Sequence, residues 1–105
     1  MGIYVEATAT IPTVIAEGNG SGEGRKPWEY LINNADSGTV LTAAELRGRL
    51  PQAIALVDAF DTSDMQGDVQ KELRRWKTNL TGFVEIVARH EREFGVGTVK
   101  LNVTR

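Results

Sequence analysis

Between Val69 and Phe94 the large side chains recur with steps of 4, 3, 4, 3, 4, 3 and 4, through Val69, Leu73, Trp76, Leu80, Phe83, Val87, His90 and Phe94. Only an α-helix brings such positions onto one side, and a sustained 3.5-residue period makes a seam for a second helix. His90 is the one polar member of that seam. The 26 residues of this stretch form a rod of roughly 39 Å at ~1.5 Å per residue. A chain of 105 residues has a radius of gyration of about 13 Å, hence a diameter near ~34 Å if it is round. A rod that long predicts that part of the seam lies against something other than its own chain. Val69, Leu73, Trp76, Leu80, Phe83, Val87 and His90 are therefore read as interface residues. The first partner is the chain itself, as a homodimer or larger assembly, and the second is another protein.

Elsewhere the period changes. Ile3, Val5, Ala7, Ala9 and Ile11 alternate with Tyr4, Glu6, Thr8 and Thr10, and Val99, Leu101 and Val103 alternate with Lys100, Asn102 and Thr104. Period two with β-branched residues predicts two half-buried strands. Pro12 marks an edge or an end, residues 13–16 continue the strand or form a short second one, and residues 39–41 can add another. Pro27 opens a short helix over Trp28, Leu31, Ile32 and Ala35, which Asp36-Ser37-Gly38 ends. Thr42 and Glu45 spell a capping box, with Leu41 and Leu46 as its hydrophobic staple. The helix that follows presents Leu46, Leu50, Ala53, Val57 and Phe60; Pro51 either kinks it or splits it. Asp61-Thr62-Ser63-Asp64 connects to the long helix, expected from Met65 to about Phe94; Thr62, Ser63 or Asp64 can cap it, and Gly95 and Gly97 stop it. Residues 17–26 read EGNGSGEGRK, without one apolar side chain, and predict a flexible Gly-rich loop. The expected fold is a single α+β domain over residues 1–105: a small antiparallel sheet from the terminal strands, packed on an antiparallel helical hairpin with one long helix.

The chemistry is restricted. Cysteine is absent and His90 is the only histidine, which removes disulfides, thiol catalysis and His-pair metal sites within one chain. The glycine run lacks the spacing of a phosphate-binding GxxxxGK[ST] loop, and GxGxxG fails at Glu23. Asp58, Asp61, Asp64 and Asp68 lack EF-hand spacing and read as helix-end acids. Arg25 and Lys26, with Lys71, Arg74, Arg75 and Lys77, are the candidate contacts for an anion or nucleic acid. The net charge of −2 gives no whole-chain attraction to nucleic acid or to an anionic membrane. No apolar run approaches the ~18 residues of a membrane span, and the start lacks the basic flank of a signal peptide. The chain is expected to act in the cytoplasm of a bacterial host, without metal, cofactor or catalytic residue, and not as an enzyme.

The run from Ser37 to Leu50, SGTVLTAAELRGRL, followed by a long helix and a short closing strand, resembles small uncharacterised actinobacterial and actinophage proteins. The resemblance is one of layout and spans residues 28–104. It implies no activity, substrate or catalytic residue. With the small size and the lack of catalytic groups it leads to an expected protein-interaction module, a phage accessory or host-modulating protein. The alternatives are a nucleic-acid-associated regulator using the basic helix face, and a virion or assembly component that forms a ring.

Overall fold

A computed structural model describes residues 2–9, 14–63 and 65–105. Four antiparallel strands, β1 (Gly2–Thr8), β2 (Val14–Ser21), β3 (Val40–Thr42) and β4 (Thr98–Thr104), lie in the order β2-β1-β4-β3. Helices α1 (Arg25–Leu31), α2 (Ala43–Asp58) and α3 (Val69–Phe94) cover one face of this sheet. The fold is α+β, with the first and last strands paired at its centre and the α2–α3 hairpin packed beneath.

The alternation read in the sequence sets the inner face. Ile3, Val5 and Ala7 of β1 and Val99 and Leu101 of β4 are buried, with Ala7 opposite Leu101 and Val5 opposite the half-buried Val103. Their neighbours Tyr4, Glu6, Thr8, Lys100, Asn102 and Thr104 line the opposite face, which no helix covers. The predicted strand positions from Thr10 to Thr13, Ile11 and Pro12 among them, lie outside the described residues.

The capping box forms as predicted: the Glu45 N–H donates to Thr42 Oγ1 at 3.0 Å. Pro51 neither splits α2 nor ends it, since the helix runs unbroken from Ala43 to Asp58 and buries Leu46, Ala53 and Val57. Helix α1 stops earlier than the Asp36-Ser37-Gly38 signal implies, because Asn33 and Asn34 both take the left-handed conformation at φ 55°. Short polar side chains tolerate that region better than most residues. The cap of α3 is Asp68, whose carboxylate accepts from the Lys71 N–H at 3.0 Å, rather than the earlier Thr62 or Ser63. Asp64 lies outside the described residues. Gly95, at φ 70°, closes the helix.

Two expectations need correction. The Gly-rich segment 17–26 is not a loop: residues 17–21 belong to β2, Gly22–Gly24 form one 3₁₀ turn, and α1 begins at Arg25. At two of its four glycines another group fills the side-chain space, and Gly22 takes the left-handed conformation at φ 56°. A Cβ at Gly18 would overlap the ring of Trp28, and one at Gly20 would overlap the Gly24 carbonyl. Trp28 packs under β2 at these two glycines, is itself 2 % exposed, and meets Phe83 edge-on at 5.2 Å.

The second correction concerns the seam. Leu73, Leu80, Phe83 and Val87 are buried within the single chain, and Val69 and Trp76 pack half-buried against the same core. The expectation that they face a second chain rested on a round globule. The molecule measures 43 × 25 × 19 Å, so α3 runs along its long axis and its own sheet and helices cover the seam. Of the seven predicted interface residues, His90 is the one outside this core cluster. It stands half-buried near the end of α3, its ring 4.8 Å from that of Phe94.

One polar clamp ties β4 to α1. Arg105 reaches Glu29 with two hydrogen bonds, Nη2 to Oε1 at 2.7 Å and Nε to Oε2 at 3.0 Å. Arg25 Nε adds a third at 3.0 Å. Arg105 first and Arg25 second hold the Glu29 carboxyl below its ordinary range, against the opposing effect of partial burial. A depressed folded-state pKa contributes stability above the ordinary Glu value and loses it as pH falls through the lowered one. Arg105→Ala is therefore expected to cost about 1 kcal/mol at neutral pH, with the gap to wild type closing in acid. Urea unfolding at several pH values measures it; a gap that stays constant into acid would exclude the ion pair as its source.

Candidate functional site

The two edges of the sheet differ. Strand β3 is three residues long and leaves little backbone unpaired. Strand β2 has eight residues and, among the described residues, is paired only to β1. An edge strand presents a row of free N–H and C=O groups, and proteins blunt such edges with proline, lysine or bulges. The β1–β2 pair has an irregularity at Ala7/Thr8, so the even register runs over residues 16–21. No Pro or Lys stands there, and the one charge is Glu17.

Below this edge lies α3. Between the two runs a cleft in two parts. The wider part, about 440 Å3, is bounded by Glu17, Gly18 and Asn19 on the strand side and by Asn79, Gly82 and Ile86 on the helix. The narrower part, about 110 Å3, sits beside Gly20 and Ser21, between Trp28, Trp76 and Arg75. Asn19 and Asn79 border both parts, so they form one channel along β2. Gly82 keeps the wider part open, since a Cβ there would meet nothing within 4 Å. Ile86 is 38 % exposed beside it. At the other end the Gly24 backbone faces the Trp76 indole, whose Nε1 donates to Glu72 Oε1 at 3.1 Å.

On the uncovered face the same edge is acidic. Glu6 and Glu17 stand directly opposite each other on β1 and β2. Tyr4 Oη donates its one hydrogen to Glu17 Oε2 at 2.6 Å, with Glu6 Oε2 at 3.2 Å as the second, weaker acceptor. Asn102 Nδ2 donates to Glu6 Oε1 at 3.0 Å. The bond to Glu17 is the main reason that the Tyr4 hydroxyl titrates far above the ordinary tyrosine range. Like charges placed opposite each other in a sheet are unfavourable; here neutral donors hold the pair together.

The predicted anion contacts do not converge. Arg25 is taken by Glu29 at 3.0 Å, Lys26 by Glu23 at 2.8 Å, Arg75 by Glu72 at 2.9 Å and Lys77 by Asp58 at 2.8 Å. Lys71 and Arg74 are exposed on α3 with no acidic partner within 4 Å among the described residues. The acids have local uses as well. Asp58 pairs with Lys77 and Asp68 caps α3, while Asp61 accepts from the Ser63 N–H at 2.9 Å, which lowers its pKa. Among the described residues no three His, Asp or Glu side chains converge on a point that would hold a metal ion. No helix among them is long and apolar enough to cross a membrane.

Sequence reasoning missed the β2 cleft, although one signal was present. Ala16, Gly18 and Gly20 alternate with Glu17, Asn19 and Ser21, a period-two pattern of small and polar residues. Comparison with protein-family models, with curated proteins and with solved structures finds no match.

Proposed function

We propose that this chain is a non-enzymatic protein-interaction module that accepts an extended segment of a partner as a fifth strand along β2. The observation that carries the reading is the channel between β2 and α3. An unpaired strand edge supplies main-chain hydrogen bonds, and an adjoining cleft takes every second side chain, which together are the elements of recognition by strand addition. The basic-face alternative has less support, because two of its four residues, Arg75 and Lys77, are paired with Glu72 and Asp58.

The test is a random heptapeptide library screened against the full-length chain, followed by amide hydrogen exchange of the chain with each selected peptide. Protection that rises over residues 16–21 is the expected result. Selected peptides that protect other elements and leave β2 unchanged would overturn the reading.

A further inference from the structure

From the same channel we infer what the partner segment looks like: a basic residue followed by a large apolar one in adjacent positions, with a compact residue two places beyond the apolar one. This rests on the strand-addition reading. Residues directly opposite each other in paired strands share a face of the sheet. Gly18 is opposite Val5, and Gly20 is opposite Ile3, both of which are buried on the helix side. A partner residue opposite Gly18 or Gly20 therefore points toward α3.

The two positions meet different spaces. Opposite Gly18 lies the wider recess of about 440 Å3, opened by Gly82 and walled by Phe83 and Ile86. It suits a large aliphatic or aromatic side chain. Opposite Gly20 lies the recess of about 110 Å3, closed by Trp28 and Trp76, which takes a more compact side chain than the first, from Ala, Ser or Thr up to Val. The two-residue spacing of the glycines fixes the spacing of the pair.

The residue opposite Glu17 points to the uncovered face and extends the row Asn102–Glu6–Glu17. That row holds two carboxylates and only neutral donors. A lysine or arginine at its end supplies the missing positive charge. A second copy of this chain is a poorer occupant of the edge, because its own β2 would present Gly18 and Gly20 to the cleft and leave both recesses empty. The motif reads basic, large apolar, any, compact for parallel addition, and the reverse for antiparallel addition.

The experiment is a positional-scanning library of acetylated, amidated hexapeptides, titrated against the full-length chain by fluorescence anisotropy. Enrichment of this pattern in either direction is expected. Gly82→Leu should weaken selected peptides at least tenfold with helical circular dichroism retained. Glu17→Lys should switch the preference at the basic position to Asp or Glu. Four outcomes overturn the inference. Peptides that protect β2 amides without the pattern would remove the motif and leave strand addition standing. Peptides that bind without protecting β2, or no binding by any library member, would remove both. A dimer whose β2 amides are protected without peptide would name the second copy as occupant in place of this segment.

Discussion

Leu80→Asp is expected to leave the chain without a cooperative unfolding transition. Leu80 is fully buried at the centre of the α3 seam, so the substitution removes a core side chain and places a carboxylate among the apolar side chains of the core. The lost burial and its cavity cost about 2–5 kcal/mol, and the uncompensated charge adds to this or forces the carboxyl to stay protonated. A domain of this size has a total stability of about 5–15 kcal/mol. The two effects together take most or all of it. Circular dichroism and a thermal melt measure the outcome, with Arg74→Asp on the exposed face of the same helix as the control, expected within about 0.5 kcal/mol of wild type. A Leu80→Asp chain that melts like wild type but shows a lower mass by light scattering would return the seam to an intermolecular role. Because α3 is satisfied within its own chain, the wild-type mass is expected to be that of a monomer.

The seam shows what could be read and what could not. The 4-3 steps identify α3 correctly, since they depend only on helical geometry. What covers the seam depends on the shape of the whole molecule, and the estimate of a round globule removed the partner that an elongated one supplies. The cap of α3 was ambiguous for a different reason. Thr62, Ser63, Asp64 and Asp68 all have capping side chains, and local chemistry alone does not rank them. The capping box at Thr42 was legible because Glu45 and the Leu41–Leu46 pair agree with it. The terminal strands were legible from alternation. Strand β2 was legible only at its start, where residues 14–16 carry the predicted short second strand; beyond it the signal fails, because a strand is read from the apolar side chains on its inner face, and at Gly18 and Gly20 that space is taken by Trp28 and the Gly24 carbonyl. The candidate cleft depends on the same long-range match. It exists where a bare strand edge, Gly82 and the ring of Phe83 meet, and no spacing along the chain announces that meeting.

That match sets the last prediction. Gly18→Ala adds a single carbon, yet it is expected to destabilise the fold by about 1–3 kcal/mol, the range for overpacking a close-packed core. The added Cβ overlaps the six-membered part of the Trp28 indole, and that ring is held on its other side by Phe83. It cannot retreat without disturbing a second buried aromatic. If this is the cause, shortening the opposing side chain should remove it. Trp28→Leu alone is destabilising, because it empties much of a large buried site. In that background Gly18→Ala should become neutral or slightly stabilising, since alanine restricts the unfolded chain more than glycine does. The expected coupling lies within the roughly 0.5–3 kcal/mol seen for residues in contact. Gly20→Ala supplies the contrast. Its Cβ overlaps the Gly24 carbonyl, which is main chain, so the loss should persist whether residue 28 is Trp or Leu. Urea unfolding of the two cycles measures both couplings. Equal and small couplings would mean that Trp28 does not hold β2 in place, and that the glycines of this strand answer to backbone conformation alone.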